Sequence, residues 1–414
     1  MKLTAKHTIY SCYLGYITQA IVNNLPPLLF LTFHNQFGIS LEKISLLITV
    51  NFCIQILIDF LAPGIIKKVG YRAVGITSFI VTTLGLTGFA WLPFLLPNAY
   101  TGILICMAFN AVGGGILEVI VSPIVESCPS ENKESAMSLL HSFYCWGHMG
   151  VVILSTLFFV AAGIDSWRYL PALWALVPLF TCLMFIKIPI YSIEGDDEET
   201  KIPGGIFKSG IFWVLFLLMI CAGASEQAVS QWSSLFAEDG LGVSKTVGDL
   251  LGPCAFAFFM GLSRLLYGIK GDKLNIRHGL LGTSALCIVG YLITSLSPIP
   301  LLSLAGCALC GFSVGLMWPG VFSLGAALCR GGGTMMYAMF ALAGDVGCSA
   351  GPSVVGFVTD AAGSMKTGIL AALIFPVVLF LIMLGLQKNS AKEKHPADKK
   401  TADTAAARDL RSQE

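Results

Sequence analysis

Twelve continuous apolar runs occupy almost the whole chain, at about 8–32, 42–66, 72–95, 100–125, 135–161, 168–190, 209–235, 247–269, 277–296, 299–328, 334–358 and 365–387. Each approaches the roughly 20 residues that a helix needs to cross a hydrocarbon core. The runs do not alternate apolar with polar residues, which argues for helices and against a membrane barrel. With 12% charged against 55% hydrophobic residues, the chain has too few charges to clothe a soluble globule of this length. The formal charge of +1 gives no ground for nucleic acid as a partner.

The runs fall into two sets of six. Pro63-Gly64-Ile65-Ile66-Lys67-Lys68-Val69-Gly70-Tyr71-Arg72 follows the second run of the first set, and Gly268-Ile269-Lys270-Gly271-Asp272-Lys273-Leu274-Asn275-Ile276-Arg277 the second run of the other. Their closing arginines, Arg72 and Arg277, lie 205 positions apart. Gly38-Ile39-Ser40 and Gly242-Val243-Ser244 open the corresponding second runs, and a polar first run precedes each. Duplication of one membrane unit explains all of these features. The expected fold is an all-α integral membrane protein, with twelve transmembrane helices in two pseudo-symmetric six-helix halves. Its divisions are an N-terminal half at 1–190, a cytoplasmic linker at 191–208, a C-terminal half at 209–387 and a cytoplasmic tail at 388–414. The linker holds the acidic run Glu194-Gly195-Asp196-Asp197-Glu198-Glu199, which reads as a solvated loop.

Orientation follows from the basic residues. Of 25 Lys and Arg, only Lys43, Arg168, Lys245 and Lys366 fall away from the side of the termini, which the positive-inside rule assigns to the cytoplasm. The expected location is the cell (inner) membrane, multi-pass, with both termini cytoplasmic and the first helix retained. The cysteines lie mostly within apolar runs, and Cys307-Ala308-Leu309-Cys310 reads as helix packing rather than a redox pair.

A twelve-span chain with a basic turn between spans 2 and 3 and again between 8 and 9 resembles the major facilitator superfamily over about residues 8 to 387. Gly268, Asp272, Lys273 and Arg277 follow that superfamily's loop pattern, whereas the first copy carries Pro63 and Lys67 where a glycine and an aspartate are usual. Within the superfamily the chain resembles the fucose permease type of sugar:proton symporters. That likeness is carried by Val22-Asn23-Asn24-Leu25, by Leu117-Glu118-Val119-Ile120-Val121-Ser122-Pro123 and by Leu140-His141-Ser142-Phe143-Tyr144-Cys145-Trp146-Gly147. The resemblance implies a part in proton coupling for Glu118. Two positions depart from the pattern. Pro26 and Pro27 stand where the symporters have an acidic residue, and Ser122 stands where they have an asparagine.

An ionisable side chain inside a membrane is costly unless it is paired, neutral or wetted, so each is a functional candidate. Glu118, His148, Glu226 and Asp345 lie toward span centres, and His141 nearer the inner end of span 5. Glu118, Asp345 and His148 are the candidates for proton coupling. His141 and His148 are seven residues apart and share a helix face, where a relay to Glu118 competes with plain carbonyl bonding. In span 7, Glu226, Gln227, Ser230 and Gln231 share a broad face suited to gripping hydroxyls, and Trp232 could stack on a sugar. With Asn23, Asn24, Glu118, His141, Tyr144 and Asp345 they form the expected substrate contacts. Asp59, Lys68, Arg72, Arg264, Asp272, Lys273 and Arg277 read as topological determinants and latches between the halves. No cofactor and no metal site is expected.

These features point to a secondary active transporter that moves a small polar organic solute, such as a sugar, by proton symport with alternating access, functional as a monomer. Proton-coupled export of drugs or metabolites is the alternative, since Gly351-Pro352 in span 11 resembles an exporter feature. No His-Glu-x-x-His, Gly-x-Ser-x-Gly or Walker sequence is present to support an enzyme or an ATP-driven pump.

Overall fold

The computed structural model describes residues 3–129, 133–191, 206–270, 275–329 and 333–388. The acidic linker, the tail beyond residue 388, and Asp272 and Lys273 of the second basic turn lie outside the described residues.

Among the described residues, twelve helical spans cross the protein. Span 1 runs Ala5–Asn24, tightens into a 3₁₀ turn at Pro26–Leu29 and resumes as Phe30–Phe37. The break follows from Pro26 and Pro27, which have no N–H to give to the preceding turn. Span 2 is Leu41–Val69, its first turn capped by the Ser40 hydroxyl, which accepts from the Lys43 N–H at 3.3 Å. Span 3 is Tyr71–Gly88, and a separate turn follows at Leu92–Leu95. It ends earlier than its apolar run because Pro93 cannot donate to the carbonyl of Phe89, and Pro93 instead sits in the first turn of Leu92–Leu95. Spans 4, 5 and 6 are Ala99–Ser127, Lys133–Ala162 and Tyr169–Lys187.

In the second half, span 7 is Gly210–Gly240 and ends in a π-turn at Phe236–Gly240. Span 8 begins at Lys245–Asp249, passes a second π-turn at Leu250–Cys254 and continues as Ala255–Lys270. That π-turn contains Pro253, whose missing donor the wider turn accommodates. Spans 9 to 12 are Ile276–Leu296, Pro300–Leu328, Gly333–Ala362 and Met365–Lys388. Among the described residues, ten helices are long and apolar enough to cross a membrane unaided, and spans 1 and 3 are the two that are not. Their amides, hydroxyls and Arg72 lower their hydropathy, and packing between apolar neighbours compensates.

Glycine decides how closely spans 7 and 11 approach. A Cβ on Gly347 would lie 2.8 Å from the Ala224 backbone nitrogen, and one on Gly351 2.8 Å from the Ala224 Cα. Such backbone contact is the usual way for membrane helices to associate without a hydrophobic driving force. Cys307 and Cys310 are buried in span 10, and a Cβ on Gly290 of span 9 would meet Cys310 Sγ at 2.8 Å.

The duplication is visible in three dimensions. Spans 5 and 11 begin 200 positions apart, at Lys133 and Gly333. Span 2 packs on span 11, and span 5 packs on span 8, so the halves meet along two equivalent seams. With an even number of spans, residues 3 and 388 share one face, here the termini face. Lys43, Arg168, Lys245 and Lys366 mark the opposite one, the far face.

The basic turns act more locally than expected. Arg72 donates to the carbonyls of Phe185, Ile186 and Ile188 at 2.9, 2.8 and 2.7 Å. It therefore caps the C-terminal end of span 6 within its own half, as a cation at a helix C-terminus does, and is not a latch between halves. Arg277 sits in the first turn of span 9, where the Asn275 side chain accepts from its backbone N–H at 3.1 Å. Lys68 is exposed in the last turn of span 2.

Candidate functional site

Span 2 carries Asn51, Gln55 and Asp59 at intervals of four, so one stripe of the helix is polar from the far-face half inward. This stripe meets the polar end of span 1. Gln55 Nε2 donates to Asn23 Oδ1 at 3.1 Å, and Asn51 Nδ2 to the same oxygen at 3.4 Å. Gln19 Nε2 reaches both Gln55 Oε1, at 3.3 Å, and Glu118 Oε2, at 3.0 Å. On the other side Gln231 Nε2 donates to the Asn23 carbonyl at 3.1 Å and to Gln227 Oε1 at 3.0 Å, and Gln227 donates to Glu226 Oε1 at 3.4 Å. A continuous amide chain thus runs from Glu118 in one half to Glu226 in the other.

The side chains on the termini side of this chain are more open. His141 is exposed, Tyr144 and Glu118 are half-buried, and the His141 ring lies 5.5 Å from that of Tyr16. The Tyr16 hydroxyl is 3.3 Å from Ser122 Oγ, and Tyr144 lies beside the side chains of Asn23 and Asn24. Arg264 reaches in from span 8, with Nη2 at 3.4 Å from Glu226 Oε2 and Nη1 at 3.5 Å from Cys145 Sγ. Glu226 is only 6% exposed, so this guanidinium answers a carboxylate that water cannot.

Asp345 is 4% exposed and lies beside Asp59 across the seam of spans 2 and 11. Glu118 lies within electrostatic reach of both. Asp59 and Arg264 each precede their turn's closing arginine by 13 residues, and Cys145 and Asp345 each lie 12 residues into their span. The contacts of Asp59 with Asp345 and of Arg264 with Cys145 are therefore the same contact made once per seam. Duplication has placed a carboxyl pair in one seam and a cation beside a thiol in the other.

The sequence-predicted residues separate accordingly. Glu118, Glu226, Gln227, Gln231, Asn23, Asn24, His141 and Tyr144 come together with Arg264, while Ser230 is buried on the same helix. Trp232 does not face open space. It is fully buried, donates from Nε1 to the Pro352 carbonyl at 2.9 Å and lies against Phe30, so it keys span 7 to span 11. His148, 2% exposed, lies deeper than His141. Gln19, Asn51, Gln55 and Tyr16 were not among the expected site residues, although the four-residue spacing along span 2 signals Asn51 and Gln55. Among the described residues no group of three or more His, Cys, Asp or Glu side chains is arranged to hold a metal ion.

The Major Facilitator Superfamily profile matches residues 12–352. The chain belongs to that superfamily. As a Major Facilitator Superfamily member it is a multi-pass membrane transporter. It is 25% identical over 395 residues to "Probable nitrate transporter NarT" of Staphylococcus epidermidis, covering 92% of this chain and 94% of that one. Its fold is similar to that of the E. coli fucose:proton symporter FucP, at TM-score 0.63 and 18% identity over 91% of this chain and 97% of the other. It is likewise similar to a D-xylose-proton symporter, at TM-score 0.74 and 13% identity over 92% and 95% of the two chains.

Proposed function

We propose that the chain is a proton-coupled symporter for a small, neutral, polar organic solute of the sugar class. In this reading the termini face is cytoplasmic in the cell membrane and the protein works as a monomer. The observation that carries the reading is the amide chain from Glu118 to Glu226. Amides and carboxyls alternate donors and acceptors in the pattern that a polyhydroxylated solute can replace bond for bond. Each displaced amide contact, worth about 1 kcal/mol net, is exchanged for a contact to solute. A solute that engages Asn23 and Gln231 together bridges the halves and favours their closure around it.

Glu118 supplies the coupling. Its carboxyl faces the open side yet is held by Gln19, and Asp59 and Asp345 stand beyond it. Three carboxyls in mutual electrostatic reach cannot all be ionised cheaply inside a membrane protein. The protonated form of Glu118 passes through the occluded state, and the carboxylate disfavours that passage. His141, on the open side, is placed to exchange protons with water.

A nitrate-type anion is the second reading, favoured by the Staphylococcus relative and by Arg264 at the end of the amide chain. Against it, the guanidinium already faces Glu226, and Glu118, Asp59 and Asp345 are carboxyls. Proteoliposomes loaded with a pH-sensitive dye separate the two. Sugar symport requires alkalinisation-sensitive proton entry on addition of D-xylose, L-fucose or D-glucose, and nitrate as the only solute that moves protons would defeat the sugar reading.

A further inference from the structure

A second cluster of charged groups lies at the far face, outside the candidate site. Lys245, at the start of span 8, places Nζ 3.0 Å from Glu238 Oε1, at the end of span 7, and 3.1 Å from Asp249 Oδ2 one turn on. Asp249 is fully buried and accepts a 2.5 Å bond from Ser234 Oγ. These partners all belong to the second half. The same ammonium also donates to the Leu28 carbonyl at 2.8 Å and lies 5.1 Å from the centre of the Phe159 ring. Thr156 Oγ1 is 3.5 Å from Asp249 Oδ2. Leu28, Thr156 and Phe159 belong to the first half, so one cation and one buried carboxylate are shared between the halves.

The duplication gives this arrangement its meaning. Thr156 and Gly356 are equivalents, 200 positions apart. In the other seam a Cβ on Gly356 would lie 2.5 Å from Ser45 Cβ, Ser45 donates to the Pro352 carbonyl at 3.2 Å, and Thr49 and Ser353 hydroxyls meet at 2.6 Å. One seam closes with small neutral residues. The equivalent seam closes with a half-buried lysine and two carboxylates.

We infer that Lys245 is the positioning residue that closes the seam of spans 5 and 8 at the far face, and that its contacts to Leu28 and Phe159 exist only while that face is shut. When the halves part, Glu238 and Asp249 travel with Lys245, while water replaces the carbonyl and the ring. The cation keeps its carboxylates neutralised in the closed state, where water does not reach Asp249. Without it, closure buries uncompensated negative charge and the equilibrium moves toward the open far face. The inference rests on alternating access, which the superfamily supplies, and not on the solute or on Glu118.

The test measures distances between spin labels carried on keto amino acids at Glu42 and Asp360, exposed positions of the two halves at the far face. The full-length protein is used, in nanodiscs. Lys245→Met is expected to raise the population with long distances about tenfold or more, and Lys245→Arg to retain the short distances of the parent. Acidification is expected to restore short distances in Lys245→Met by neutralising the carboxylates. The triple variant Lys245→Met, Glu238→Gln, Asp249→Asn is expected to restore them at neutral pH. Parent-like distances in Lys245→Met overturn the inference. So does a long distance that the triple variant fails to reverse, because that outcome marks lost packing and not lost charge. Should Lys245→Met not fold, Thr156→Val, which removes only a cross-half bond, must still lengthen the distances.

Discussion

Replacing Gly356 by alanine puts a methyl group into the seam between spans 2 and 11. The new Cβ would stand 2.5 Å from Ser45 Cβ, where carbon atoms in contact need about 3.5–4.0 Å. The Ser45 hydroxyl can rotate away, but its Cβ is fixed to the helix, so the two spans must part by about 1 Å. That displacement stretches the Ser45 bond to the Pro352 carbonyl at 3.2 Å and the Thr49 bond to Ser353 at 2.6 Å beyond useful length. At about 1 kcal/mol for each, the closed far face loses about 2 kcal/mol relative to the open one, a shift of about 30-fold in the equilibrium. The clash with Trp232 Cζ2 at 2.8 Å lies within the second half and burdens both states alike. Distance measurements between labels at Glu42 and Asp360 read the shift directly. Gly150→Ala is the control, because a Cβ there meets nothing within 4 Å. A distance distribution in Gly356→Ala identical to that of the parent, or matched by Gly150→Ala, refutes the reasoning.

Other expectations concern stability. Arg264→Met leaves Glu226 buried without its cation and should cost about 3 kcal/mol, seen as a lower Tm in detergent, with Glu226→Gln added on top restoring most of it. Failure of the second change to recover stability would show that the pair is not the reason for the loss. Arg72→Lys keeps the charge but can satisfy fewer of the three carbonyls at the end of span 6, so it should cost about 1–2 kcal/mol without changing solute affinity. A change in affinity would return Arg72 to a role between the halves.

The twelve spans were legible because a bilayer demands long apolar helices and tolerates little else. The duplication was legible too, since its turns and openings are spaced alike in both halves. Breaks inside helices were not read: Pro26, Pro27 and Pro93 stand inside the expected runs, although each lacks the N–H that a continuous helix needs. What the sequence could not supply is the direction a side chain faces. Asn51, Gln55 and Asp59 are plainly one stripe, but only packing shows that it faces Asn23 and not lipid. Trp232 reads equally well as a stacking platform and as a key between helices, and the glycine opposite it, Gly356, decides for the key. Arg264 and Arg72 look alike as basic residues near helix ends. One reaches inward to Glu226 and the other caps span 6, a difference set by helix tilt and neighbours that no spacing rule encodes. Asp249 was missed because it was read as part of an apolar run, although its spacing of four from Lys245 is the pattern of an ion pair on one helix face.

The central claim is that Glu118 carries the proton that drives solute uptake. The direct measurement is accumulation of labelled D-xylose, L-fucose or D-glucose in proteoliposomes under an imposed pH gradient, acid on the side of the far face, in the parent and in Glu118→Gln. The account predicts uphill uptake by the parent, and in the variant no uphill uptake but continued exchange of labelled for unlabelled solute. Uphill uptake undiminished in Glu118→Gln, or uptake by the parent that ignores the gradient, would contradict it.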